Sequence, residues 1–334
     1  MANYRDASIE IGAKQFHSKT GVAQAQRDTE ADFRKKYVNL ASGKINSELV
    51  RKRGCPVCGS LGSGDIIFSK NGFDHILCEC NMVYVPEILK DEGLNLVYSG
   101  EKHEKETHDG FRTEPRRTFI CEIYQAGLEL LKKSGYTDGL ILDVGCSSGL
   151  FLEYASSMGY KGVGIEPSDY AVEYGRARGV EIIKGYFSES TIDKNNYSMI
   201  SLWDVLEHCD DPKNILIDAY KIMKKDGYLF IQVPNVASLA PRILRERCNM
   251  FNGYAHINLF GPDTITKILN EIGFKDIKIE TVISEISVIN NFLNYTDPYF
   301  GPSNDRHCIL NSSIDSEFLS KNLMGYKLQV VARK

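Results

Sequence analysis

The stretch that decides the fold is Leu140-Ile141-Leu142-Asp143-Val144-Gly145-Cys146-Ser147-Ser148-Gly149-Leu150-Phe151. Apolar residues around a single acid read as a buried strand. The glycines that follow permit a tight turn and close approach of backbone to a ligand, and Leu150 opens a helix. A strand, a glycine turn and a helix in that order begin a parallel βαβ unit.

Outward from this stretch the alternation continues. Gly162–Glu166, Glu181–Lys184, Ser198–Trp203 and Tyr228–Val233 read as strands, with helices at Leu150–Met158, Tyr170–Arg178 and Pro212–Met223. A helix over 116–133, marked by Phe119, Ile123, Leu128 and Leu131, precedes the first strand. A last strand, Tyr326–Arg333, follows an irregular insertion near Asn290–Asn322 that is rich in Asn, Ser and Asp. Strands and helices at this spacing predict an α/β fold with a parallel, doubly wound sheet. In such a sheet a ligand lies beyond the strand ends where strand order reverses, so the turn after Val144 is the expected site. Its Gly145-x-x-x-Gly149 spacing differs from the Gly-x-Gly-x-x-Gly that accommodates a pyrophosphate. The next strand ends in Gly164-Ile165-Glu166-Pro167-Ser168, which puts a carboxylate about 20 residues on, positioned to accept both hydroxyls of a ribose.

Upstream, residues 1–23 read as a polar extension, and Gln24–Val50 as an amphipathic helix carried by Phe33, Tyr37, Leu40 and Ile45. Residues 54–85 hold a cysteine cluster between strand-like pieces, read as a ribbon of two hairpins. The charged run 101–109 reads as a solvated connection. The expected organisation is therefore 1–50 as an extension with a helix, 51–100 as a small metal module and 101–334 as the main domain.

The 334 residues carry a net charge of -4, which offers no general attraction for a phosphate backbone. No apolar run reaches the ~18 residues of a membrane span, and no secretory signal opens the chain, so the expected location is the cytoplasm. Of nine cysteines, four crowd into residues 55–80, a distribution that suggests metal binding more than disulfides. Cys55-Pro-Val-Cys58 and Cys78-Glu-Cys80 supply four thiolates suited to tetrahedral zinc, with His75 in place of Cys78 as a variant.

The motifs together resemble class I S-adenosylmethionine (SAM)-dependent methyltransferases: Leu-Asp-Val-Gly-Cys-Ser-Ser-Gly as the cofactor loop, Gly-Ile-Glu-Pro-Ser as the ribose acid, and Ser201-Leu202-Trp203-Asp204-Val205-Leu206-Glu207-His208 ending the fourth strand. Lys225–Asn235 resembles the family's next strand, and Leu259–Phe274 the helix after it. The resemblance implies a Rossmann-like, seven-stranded, mostly parallel sheet whose last strand is antiparallel. It also implies that Asp143, Gly145, Cys146 and Gly149 surround the methionine part of SAM. Glu166, with Pro167 and Ser168 behind it, would hold the ribose, and Tyr186 and Phe187 would flank the adenine. Trp203 and Asp204 would stand near the methionine end, with a packed strand-end aromatic as the other reading of Trp203.

The cysteine pairs followed by Asn81-Met82-Val83-Tyr84 resemble bacterial methyltransferases with an N-terminal zinc module, several of which act on sugars or surface glycans. That implies a small-molecule or glycan acceptor, and His256 as the base with Tyr254 as its helper. The other reading of His256 is a structural hydrogen-bonding residue. His208 is a second candidate base. Asp204, Glu207 and His208 also resemble the metal-binding group of ubiquinone-pathway O-methyltransferases. An RNA methyltransferase with a zinc ribbon and a non-catalytic partner-binding protein are the competing readings.

Overall fold

The computed structural model describes residues 22–39, 41–62, 64–91, 110, 112–188, 190, 192, 196–294, 296–300, 314 and 316–334. The extension before Val22, the charged run 101–109 and Leu40 lie outside them.

Helix α1 spans Val22–Tyr37 and buries Phe33; Arg34, Lys35 and Lys36 in its last turn suit the negative end of the helix dipole. It ends well short of the expected Val50. Asn39 Oδ1 accepts from the amides of Ala41 (2.9 Å) and Ser42 (3.2 Å), an Asx turn that diverts the chain, and Gly43 takes φ +67°. Ile45, expected on the helix, instead bridges to Val38 in antiparallel fashion and joins the core with Phe33 and Phe73.

Strands β1 (Val50–Lys52), β2 (Asp65–Lys70), β3 (Phe73–Leu77), β4 (Val83–Tyr84) and β5 (Glu87–Leu89) follow. β1 pairs with β5, and β2, β3 and β4 form an antiparallel meander. β2 and β3 form one hairpin of the expected ribbon, whereas residues 53–62, around Cys55 and Cys58, hold no strand.

Helix α2 (Glu114–Lys133) leads to β6 (Leu140–Val144), α3 (Leu150–Ser157), β7 (Lys161–Glu166), α4 (Asp169–Arg176), β8 (Ile182–Lys184), β9 (Tyr197–Trp203), α5 (Pro212–Ile222) and β10 (Met223–Pro234). Helix starts are chemically marked. Ser168 accepts from Ala171 N and Asp211 from Asn214 N as N-caps, and Pro212 needs no amide partner at its position. Then come α6 (Leu239–Leu244), β11 (Asn258–Leu259), α7 (Pro262–Ile272), β12 (Lys275–Val282), α8 (Ile286–Leu293), α9 (Ser316–Lys321) and β13 (Lys327–Arg333). The helices α8 and α9 fall within or beside the insertion expected to be irregular.

The main sheet has the order β12-β13-β10-β9-β6-β7-β8. Pairings from β10 through β8 are parallel. β13 is antiparallel to β10, because its start meets the end of β10 (Asn235 N to Tyr326 O, 2.7 Å) and Lys334 N reaches Gly227 O (3.0 Å). The chain runs to one side of β6 through β7 and β8, then returns to the other side through β9, so strand order reverses at β6. A second sheet, β11-β4-β3-β2, is antiparallel where β11 joins β4.

Two compact units result. One gathers residues 1–99, 234–264 and 281–327, and the other 100–233, 265–280 and 328–334. The first unit is discontinuous, whereas the sequence reading placed everything after residue 100 in one domain. Among the described residues no helix is long and apolar enough to cross a membrane.

Candidate functional site

In the second unit the crevice at the end of β6 is shaped by backbone that only particular residues adopt. Gly145 (φ +65°), Ser147 (+51°) and Gly149 (+77°) are left-handed, so the chain reverses sharply and α3 begins at Gly149. The amides of Gly145 and Cys146 donate to Ile165 O, holding the turn to β7. A side chain at Gly164 would strike Cys146 Sγ at 2.2 Å, so that glycine is required for the approach.

Glu166 closes the arrangement. One carboxylate oxygen accepts from Ser147 N (3.0 Å) and the other from Ser168 N (2.9 Å), fixing the group at the crevice edge. Each oxygen retains acceptor capacity for a ligand hydroxyl. Asp143 is buried and accepts from Ser201 Oγ at 2.7 Å. Desolvation, with the neighbouring Glu166 charge adding to it, pushes its carboxyl up to about 7. The Cys146 thiol is pushed up by the same cause and is inert packing.

Asp204 takes φ +54° at the end of β9, with its amide on Gln232 O. Gln232 donates to Asp204 Oδ2 (3.1 Å), Gln329 donates to Gln232 (3.0 Å), and Gln329 also reaches Ile123 O (3.1 Å). This chain of amides crosses β13, β10 and β9 and orients Asp204; its members are far apart along the chain, so no local pattern marks it. Trp203 packs among Tyr124, Phe151 and Phe230 at 4.8, 4.9 and 4.3 Å between ring centroids. Phe187 is buried while Tyr186 is 80% exposed, so the two expected adenine neighbours face different surroundings.

Sequence reading also missed Arg112. Its guanidinium grips both oxygens of Glu153 (2.8 and 2.9 Å) and donates to Ser148 O at 3.3 Å, on the glycine turn itself. It lies before α2, outside any recognised motif.

His208 is exposed in a short 3-10 turn, Leu206–His208, while Glu207 is fully buried. Asp204 is in no cluster of three metal-ligand side chains among the described residues.

In the first unit, the segment before β11 carries Tyr254 and His256. His256 Nδ1 lies 2.9 Å from Met250 O, and its amide, like that of Ala255, donates to Asn252 Oδ1. A carbonyl partner puts the proton on Nδ1 and the basic lone pair on Nε2. Tyr254 stacks on Phe33 at 4.7 Å.

The four cysteines converge, as their spacing requires for a shared ion. Cys55 Sγ is 3.6 Å from Cys80 Sγ, Cys58 Sγ is 3.6 Å from Cys78 Sγ, and all four sulfurs lie within 4.8 Å of one another. Tetrahedral zinc with bonds of ~2.3 Å sets its sulfurs ~3.8 Å apart, so the donor set fits. His75 is not in this group. It is fully buried between Phe68 and Phe251, and burial pushes its imidazole down to about 4.

A family model described as a methyltransferase domain matches residues 114–279. An uncharacterized protein of Methanocaldococcus jannaschii is 24% identical over 50% of this chain and 80% of its own. A ubiquinone biosynthesis O-methyltransferase of Vibrio cholerae is 26% identical over 32% of this chain, an alignment that spans 46% of that protein. Among solved structures, a SAM-dependent methyltransferase from Archaeoglobus fulgidus covers 64% of this chain and 94% of its own at 19% identity and TM-score 0.46.

Proposed function

We propose, on the premise that this chain is a SAM-dependent methyltransferase, that it methylates an oxygen or carbon of a small-molecule acceptor: a sugar, a nucleotide sugar or a surface glycan. The observation that carries the cofactor assignment is the left-handed turn 145–149 tied to Glu166, which leaves backbone and a carboxylate for a ribose and no cradle of the pyrophosphate type. When bound, SAM supplies a methyl group activated on a sulfonium. The protein's share is to align the acceptor and take its proton.

Glu166 holds the ribose, and Asp143, Gly145, Cys146 and Gly149 surround the methionine part. Arg112, anchored on Glu153 beside Ser148, adds a cation for the methionine carboxylate. His256 is the base. Its Nδ1 hydrogen bond fixes the tautomer whose Nε2 accepts the acceptor's proton, and Tyr254 is its helper. His208 is the alternative base. Zinc on Cys55, Cys58, Cys78 and Cys80 has no open position, so its role is to hold the first unit's turns in place.

The sugar assignment rests on the order of the cysteine pairs and Asn81–Tyr84 ahead of the methyltransferase motifs. The likeness to ubiquinone O-methyltransferases supports oxygen as the acceptor atom. The net charge of -4 disfavours an RNA acceptor.

Calorimetric titration with SAM and with S-adenosylhomocysteine, SAH, tests the cofactor, and a folded protein that binds neither would defeat the reading. His256→Ala should leave the SAM dissociation constant within about twofold of wild type while turnover of a sugar acceptor falls ~10²-fold or more. Unchanged turnover would remove His256 as the base.

A further inference from the structure

The crevice at the end of β6 is an accumulation of negative charge against aromatic rings. Asp143, Glu166 and Asp204 stand at the ends of three neighbouring strands, β6, β7 and the turn after β9. Burial is the main reason Asp143 holds its proton more tightly, and the charge of Glu166 adds to it.

Tyr124 belongs to this crevice although no motif marks it. It projects from α2 onto the two elements that flank the turn: its ring meets Phe151 in the first turn of α3 at 5.3 Å, and Trp203 at the end of β9 at 4.8 Å, edge to face. Tyr154 supports it from behind at 6.0 Å. The helix is held close, since a side chain at Gly127 would strike Trp203 at 2.6 Å and Phe230 at 2.7 Å. Tyr124 and Trp203 are each partly buried and pack against the core of the second unit. The Tyr124 hydroxyl makes no hydrogen bond to the described residues. Its phenol is held well above its usual range by desolvation first, then by the charges of Asp143 and Asp204.

We propose that the ring of Tyr124, backed by Trp203, recognises the positive charge of the sulfonium, so that the crevice discriminates the charged cofactor from its neutral product. This rests on the SAM assignment above. An aromatic face attracts a cation through its quadrupole, and the attraction grows where water is excluded. Methyl transfer removes that charge, since the sulfonium of SAM becomes the thioether of SAH. The wall therefore loosens its hold as product forms, which favours exchange of product for fresh cofactor.

The test is calorimetric and needs no acceptor. SAM, SAH and sinefungin, whose ammonium stands where the sulfonium carries its methyl group, are titrated into wild type, Tyr124→Phe and Tyr124→Met, with thermal melting to verify folding. Tyr124→Phe keeps the ring and should keep the ratio of SAH to SAM dissociation constants within about twofold. Tyr124→Met keeps volume without the ring and should lower that ratio about fivefold, with sinefungin following SAM. Equal weakening of all three ligands in Tyr124→Met would make Tyr124 a packing residue and overturn the proposal, as would an unchanged ratio. Should the methionine variant not fold, Trp203→Phe, which keeps a smaller ring behind Tyr124, should lower the ratio in the same direction, and equal weakening there would again overturn it. A folded wild type that binds none of the three would instead remove the cofactor reading, and this inference with it.

Discussion

Glu285 is sensitive to pH because the fold encloses its carboxyl. It starts α8, is fully enclosed, and has one oxygen with no hydrogen-bond partner. Desolvation raises it to about 8, opposed only by the charge of Lys327. Since the folded value lies above the unfolded one, the folded state holds this proton through a window where the unfolded chain has lost it. The stability it contributes is complete below about 4.5 and is lost as pH rises through about 8. Asp143, raised to about 7, acts in the same direction. The melting temperature of the protein without ligand should therefore fall between about pH 5 and pH 8, and Glu285→Gln should flatten that decline. A variant whose melting profile runs parallel to wild type would show that Glu285 is not protonated in the folded protein. Neither group's ionisation was legible in the sequence, because each is set by what surrounds it in space. The acid Asp143 itself was legible, as a lone charge in an apolar strand beside glycines.

At the scale of elements, the helices and strands from β6 to β10 fall within a few residues of their expected positions, because each carries its own signal: apolar runs, Ser168 and Asp211 as caps, and Pro212 at a helix start. Helix α1 shows the limit of such signals. Phe33, Tyr37 and Ile45 continue a plausible apolar stripe, yet the Asx turn at Asn39 ends the helix and returns Ile45 as a bridge partner of Val38. The cysteine turns are the element whose stability depends most on a ligand. Protein prepared with zinc should contain one equivalent per chain by elemental analysis, and Cys55→Ser or Cys78→Ser should lose it and melt at lower temperature. Full zinc occupancy in both variants would show that the metal sits elsewhere. His75→Ala should retain the metal, since His75 lies between aromatic rings and outside the sulfur cluster.

Over the whole molecule, the first unit is not a bead at the front of the chain. β4 pairs with β11, Asn258 to Tyr84 and Leu259 to Val83, about 170 residues later in the chain. Arg53 reaches Ile257 O (2.6 Å) and Asn258 Oδ1 (2.7 Å), and Asn71 donates to Asn252 O (3.1 Å). Arg27 pairs with Asp297 at 2.5 Å and lies over the ring of Phe300. A fragment of residues 1–100 loses all of these partners and leaves β4 unpaired on one side. It should remain largely unfolded by circular dichroism and by amide dispersion, even with excess zinc, while the full chain folds. A cooperative melt from that fragment would establish it as an independent module after all.

The sequence by itself determined the strand–turn–helix alternation, the glycine turn with its downstream acid, and the cysteine quartet, because each is written in residues adjacent or regularly spaced along the chain. Backbone sterics, periodic burial and ligand spacing act locally, so they can be read locally. Only the tertiary structure decided that segments 234–264 and 281–327 complete the N-terminal unit, that Gln232 and Gln329 orient Asp204, that Tyr124 meets Phe151 and Trp203, and that Arg112 reaches Ser148 O. Those relations join residues tens to hundreds of positions apart, through burial and hydrogen bonding that come into being when the chain folds.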